Sequence, residues 1–147
     1  MNERAKRVKT LLRVTNIRRK QSEASLAKAE LERRAALARQ AHTEQRLRET
    51  ATLPAGTVSS LDARRQSTDL RIDAVLSATQ VVAASAEEVA TARLRWQAAA
   101  RDEKVMEELE RREKAVLAIR ATRVAERAVD DALRARRAER LTGGQQG

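Results

Sequence analysis

The stretch Leu61–Ala100, LDARRQSTDLRIDAVLSATQVVAASAEEVATARLRWQAAA, sets the architecture of this chain. Leu61, Thr68, Val75, Val82, Val89 and Trp96 each follow the last by seven residues. Four residues further on lies a companion row of Ile72, Thr79, Ala86 and Ala100, interrupted by Arg93. Apolar positions spaced alternately by four and three form a narrow stripe on a helix, the seam of a coiled coil. No Pro interrupts the run, and no Gly follows Gly56 until Gly143. The pattern predicts one helix of about 80 residues, on the order of 120 Å at 1.5 Å per residue. So long a helix with so narrow an apolar face cannot enclose a globular core. It needs a partner strand.

The residues before it supply one. From Glu3 to Thr50 the pattern is again helical. Val8, Leu11, Leu12, Val14 and Ile17 make an apolar face, and Ile17, Ala24, Leu31 and Ala38 continue it at intervals of seven. Ala27, Ala35 and Ala41 flank that row, while Leu26, Leu37 and Leu47 drift away from it. Mixed intervals of seven and about eleven predict a weakly supercoiled pair. Alanine in the seam allows close backbone approach and limits apolar burial.

Between the runs stands Thr52-Leu53-Pro54-Ala55-Gly56-Thr57. Pro54 lacks a backbone donor and disfavours helix at Leu53, and Gly56 tolerates positive φ. It is the one Pro-Gly break before the tail, so the chain reverses there, with the bend at Leu53–Val58. Ser59 and Asp62 then read as an N-cap and an acidic first turn. The expected fold is all-α: a monomeric two-stranded antiparallel coiled-coil hairpin, with helices at about 3–50 and 59–141 and a flexible tail at 142–147. A bend near residue 55 puts residue i opposite roughly 110 − i, and Trp96 against Leu11 and Val14. The second helix then outlasts the first by some 30 residues, roughly 45 Å, beyond about residue 107. The apolar phase shifts after Trp96 to Val105, Leu109, Val116 and Ile119, a stutter. Glu107 with Arg111, Glu110 with Lys114, and Asp130 with Arg134 form pairs at helical spacing that support the projecting end.

Composition agrees with this architecture. The chain has 147 residues, of which 35% are charged and 1% aromatic, with a single Trp and no Phe or Tyr. A mix of Ala, Arg, Glu and Leu with helical period is that of long helices. Cys is absent and His42 is the one histidine, so thiol chemistry and a protein metal site are not expected. There is no secretory signal and no apolar run of about 18 residues, which points to a cytoplasmic protein.

The formal net charge is +10. Residues 1–50 carry 14 basic and 6 acidic side chains, a net +8, so the charge is concentrated in the first helix. Its cluster of Arg4, Lys6, Arg7, Lys9, Arg13, Arg18, Arg19 and Lys20 suits phosphate contacts. No aromatic residue interleaves to stack bases, so only weak, sequence-independent nucleic-acid binding is expected.

No Gly-rich phosphate loop, Cys nucleophile or His–carboxylate arrangement is present, so neither enzymatic activity nor a cofactor is expected. Glu107, Glu108 and Glu110 read as a solvated helix surface, and Trp96 as a core residue at the open end of the hairpin.

The chain resembles the flagellar export FliJ family. Leu11-Leu12-Arg13-Val14 followed by Ala24-Ser25-Leu26-Ala27-Lys28-Ala29 looks like the family's opening helix. Val89, Arg93, Trp96, Lys104, Leu109, Glu110 and Arg111 resemble its second helix, and Glu126, Asp130 and Asp131 the acidic residues near its end. Aromatic residues that many members carry beside the loop are missing here.

The resemblance implies a non-enzymatic stalk and adaptor of the type III export apparatus. Such a protein links the hexameric export ATPase to the export gate membrane protein, escorts export chaperones, and sits at the inner face of the cell membrane. On that reading Arg111, Arg112, Glu113, Glu126, Arg127, Asp130, Asp131 and Arg134, charges of both signs all round the projecting helix, meet the ATPase ring. Leu61, Ile72 and Val75 stay outside it for the gate or chaperones. The rival classes are a basic coiled-coil nucleic-acid binder and a parallel dimeric scaffold.

Overall fold

The computed structural model describes residues 3–51 and 58–144. Two long helices contact each other as an all-α hairpin: α1 (Glu3–Ala51, 49 residues) and α2 (Val58–Gly143, 86 residues). Apart from Val58 the expected bend lies outside the described residues. Ser59, expected as the cap, is already helical, and the helix runs on through Thr142 and Gly143, which were expected in the tail. The Gly144 amide donates to the Arg140 carbonyl at 3.3 Å and closes that end.

The chain packs as two units, Asn16–Asp102 and Met1–Thr15 together with Glu103–Gly147. In the first, direct contacts give the pairing. The Gln40 amide nitrogen donates to Thr79 Oγ1 at 3.3 Å, Arg93 pairs with Glu30 at 3.8 Å, and an Arg71 guanidinium N–H donates to the Arg46 carbonyl. The strands are therefore antiparallel, and residue i lies opposite about 118 − i. This corrects the sequence-based register by roughly one heptad. On this register Ala51, the end of α1, falls opposite about residue 67, so the first turns of α2 lie beyond the end of α1.

The seam of α2 is Arg64, Thr68, Arg71, Val75, Ala78, Val82, Ser85, Val89, Ala92, Trp96 and Ala99, all partly or fully buried at alternating intervals of four and three. The row that includes Val75, Val82, Val89 and Trp96 is as the sequence predicts. Its companion lies three residues on, not four: Ile72 and Thr79 are exposed, with Arg71 and Ala78 in their places, while Ala86 and Ala100 of the expected row are half-buried beside the seam. On α1 the correction is larger. Ile17, Ala24, Leu31 and Ala38 all face solvent, and Leu31 is 63% exposed. The true seam contains Arg19, Ser22, Leu26, Ala29, Ala36, Gln40, Thr43, Leu47 and Thr50. Two of the leucines that drift off the predicted stripe are therefore core residues.

Size explains why the helix turns that face inward. The register sets Trp96 opposite Ser22, Val89 opposite Ala29, Val82 opposite Ala36 and Ala92 opposite Leu26, one larger side chain against one smaller at each rung. Close-packed helices interdigitate best in this way. Trp96 is half-buried, and its indole N–H is shielded with no hydrogen-bond partner. Leu11 and Val14, expected to cover it, are 52% and 38% exposed.

The polar rungs satisfy themselves locally. Thr43 Oγ1 donates to the Gln40 carbonyl at 2.8 Å, and Ser85 Oγ to the Val82 carbonyl at 2.7 Å, the back-bonding open to short hydroxyl side chains on a helix. The C-terminus of α1 is capped from α2. Arg64 Nη2 donates to the Thr50 carbonyl at 3.5 Å, and Arg71 reaches the Arg46 carbonyl one turn back. Arg64 satisfies a carbonyl left open in the last turn, and both cations oppose the negative end of the helix dipole. With Ala29, Ala36 and Val89 as the only buried apolar residues among those described, the seam is thin, and at about 25 cal/mol per Å2 it stabilises the hairpin modestly.

Candidate functional site

The second unit holds most of the residues expected to meet a partner. Here α1 offers Ala5, Val8, Leu12 and Thr15, and α2 offers Glu103, Met106, Glu110, Glu113 and Leu117, again at intervals of three and four. No stutter follows Trp96. The expected shifted stripe of Val105, Leu109, Val116 and Ile119 is exposed, because Met106 and Leu117 occupy the seam instead.

Three of the five α2 rungs are glutamates, which is why apolar periodicity misses this seam. Glu103 is buried, and Glu113 is held by Arg4, whose Nε lies 2.8 Å from Glu113 Oε1. The Glu113 side chain keeps 13% of its exposure, so it faces α1 and is removed from the set of outward partner contacts. Glu108 takes Arg111 Nε and Arg112 Nε, both at 2.9 Å. Hydrogen bonds from Arg111 and then Arg112 pull its carboxyl down to about 2. The expected pair Glu110 with Lys114 is present at 3.4 Å. Arg111 chooses Glu108 over Glu107, and no ion pair joins Asp130 to Arg134 among the described residues.

From Ala118 to Gly144 every residue is exposed. The unpartnered helix therefore begins near residue 118, not 107, and Ala118–Gly143 spans about 39 Å at 1.5 Å per residue. At this point the chemistry of the helix changes face. The positions that carry the seam below continue as Arg120, Val124, Arg127, Asp131 and Arg134. A different heptad row becomes Ala118, Ala121, Ala125, Ala128, Ala132 and Ala135, six alanines in succession. The same row one and two heptads earlier reads Lys104, Glu107, Arg111 and Lys114. Val129 and Thr122 lie beside the alanines. A phase change does exist, then, but it falls where α1 gives out.

Beyond Ala135 the alanine row passes into Glu139. Of the expected contacts, Glu126, Arg127, Asp130 and Arg134 lie on the side away from the row and Asp131 flanks it. All five are exposed, as are Arg111 and Arg112. Composition hides the alanine face, because alanine is common everywhere in the chain. Only the uninterrupted heptad count picks it out.

In the Asn16–Asp102 unit, Leu61 and Ile72 are 46% and 41% exposed, and Leu61 lines an open groove with Asp62, Arg64, Arg65, Thr68 and Asp69. Val75 sits in the seam, so it is removed from the outward set. His42 is exposed. Among the described residues no group of His, Asp and Glu is arranged to hold a metal, and no helix is long and apolar enough to cross a membrane. In comparisons with known proteins the chain matches no family model, no curated protein and no solved structure.

Proposed function

We propose that the chain is a non-enzymatic stalk and adaptor of a flagellar type III protein export apparatus. On this reading it links the hexameric export ATPase to the export gate and escorts export chaperones at the inner face of the cell membrane. One observation carries the proposal: α2 continues for roughly 26 residues past α1 as a fully exposed helix with one small apolar face and one charged face. A shaft of that kind suits a ring. The alanine row lets surrounding subunits approach the backbone closely, and Arg127, Asp130, Asp131 and Arg134 meet side chains of either sign. Exposed pairs contribute about 0–1 kcal/mol each, so the shaft need not lock to any one subunit. Leu61 and Ile72 remain for the gate or chaperones.

The test is truncation after Leu117, which leaves the paired part of α2 intact. The truncated hairpin should keep its thermal transition and lose stimulation of the cognate ATPase and swimming motility. Full stimulation by the truncated chain would remove the projecting helix as the ring contact and end this reading.

A further inference from the structure

We propose that the outward face of the first turns of α1 is a docking surface for an anionic lipid bilayer. The inference is independent of the stalk reading and rests on exposed cations and aliphatic side chains that share one stretch of helix. On α2, Arg111 and Arg112 hold Glu108 and Lys114 holds Glu110, while Lys104 and the cations from Arg120 onward are exposed. On α1, Arg4 is turned to Glu113 and Lys6 to Glu3. Arg7, Lys9 and Arg13 are exposed and form no ion pair among the described residues.

These three flank two outward rows. Lys6, Lys9 and Arg13 line one side of the helix, and Arg7, Leu11 and Val14 the other, while Ala5, Val8, Leu12 and Thr15 face α2. Leu11 is 52% exposed and Val14 is 38% exposed. The result is a stretch of helix whose solvent side mixes unpaired cations with aliphatic side chains.

Phosphate chemistry alone would admit either a membrane or a nucleic acid. The aliphatic pair favours the membrane. Leu11 and Val14 enter the boundary between headgroups and acyl chains when a basic amphipathic helix lies on a bilayer. They gain nothing against a duplex backbone. The aromatic side chains on which single strands stack are absent from this face.

The experiment is co-sedimentation of the full chain with large vesicles. One set is phosphatidylcholine alone, and the other contains about 30% phosphatidylglycerol, an anionic surface that attracts basic segments. The unaltered chain should partition onto the anionic set only and be released by salt. Arg7→Gln, Lys9→Gln and Arg13→Gln together should lower partitioning on the order of 100-fold, at about tenfold or less per cation. Arg136→Gln, Arg137→Gln and Arg140→Gln, which remove the same charge from the exposed end of α2, should partition as the unaltered chain does. Leu11→Ser with Val14→Ser should weaken binding several-fold while leaving its salt dependence in place. All these side chains point to solvent, so circular dichroism should report an unchanged helix. Equal partitioning onto neutral vesicles overturns the proposal, and so does equal loss in the two triple variants. Tighter retention of a DNA duplex, indifferent to Leu11 and Val14, replaces the membrane with nucleic acid.

Discussion

Arg4 Nε lies 2.8 Å from Glu113 Oε1, and this pair ties the first turn of α1 to a seam position of α2. Glu113 stands where a coiled coil would ordinarily carry an apolar residue. Arg4 keeps 73% of its exposure, so solvent screens the pair, and Arg4→Ala should cost no more than about 1 kcal/mol. Glu113→Leu replaces the charged rung with an apolar one beside Ala5 and Val8, and should raise the melting temperature by a few degrees, roughly the shift that 1 kcal/mol gives. Thermal circular dichroism of both variants checks this. A lower melting temperature in Glu113→Leu would show that the ion pair outweighs apolar packing at this rung.

Glu108 predicts an acid response. Its carboxyl lies at about 2 in the folded chain, held there by hydrogen bonds from Arg111 and Arg112, against an ordinary 4.5. The folded value lies below the unfolded one, so the helix is favoured by this group above about 4.5 and loses that contribution as pH falls toward about 2. Carbon-detected NMR titration of the Glu108 side chain should show the low midpoint. Arg111→Ala should move it back toward the usual carboxylate range, with Arg112 retaining part of the effect.

Trp96 predicts an unusual pair of substitutions. Trp96→Ala leaves a gap against Ser22 and should cost roughly 2–4 kcal/mol, below the full value for a buried Trp because the ring is half-buried. Trp96→Phe removes a shielded indole N–H that has no partner, and an unsatisfied buried donor costs about 1–3 kcal/mol. Its lost contacts and its relieved donor should nearly cancel, leaving stability within about 1 kcal/mol of the unaltered chain. Urea unfolding followed by circular dichroism distinguishes the two outcomes.

The register predicts which cysteines meet. Ala36→Cys with Val82→Cys should form a disulfide within one chain, since these positions face each other across the seam. Leu31→Cys with Thr79→Cys should not, because Leu31 points to solvent and Thr79 bonds Gln40. Gel mobility under non-reducing conditions, read at low protein concentration, checks both. Crosslinking of the second pair within one chain would restore the shorter register.

The hairpin was readable from the sequence because Val75, Val82, Val89 and Trp96 are large, apolar and seven apart, and because Pro54 and Gly56 stand alone between two helical runs. The partner face on α1 was not. Its rungs include Arg19, Ser22, Gln40, Thr43 and Thr50, which carry no hydrophobic signal, while Ile17 and Leu31 advertise a face that nothing covers. Hydrophobicity alone could not find a seam chosen by size complementarity. The projecting end was anticipated, but its start was placed too early, since the register sets Glu3 opposite about residue 115 and the glutamate rungs at 103, 110 and 113 hide the paired region from apolar periodicity. Glu113 and Val75 left the set of partner contacts for one reason: sequence spacing cannot distinguish the inner from the outer face of a narrow helix pair.

The thin seam has a consequence for sliding. The rungs repeat so evenly that shifting α1 along α2 by one heptad, about 10.5 Å at 1.5 Å per residue, leaves the middle nearly as well matched. Trp96 would meet Ala29 in place of Ser22, Val89 would meet Ala36 in place of Ala29, and Ala99 would meet Leu26. What the shift cannot reproduce are the polar ties: Arg64 and Arg71 on the carbonyls of Thr50 and Arg46, Arg93 on Glu30, and Arg4 on Glu113. Those four guanidinium groups act as the catch on a zipper whose teeth are interchangeable.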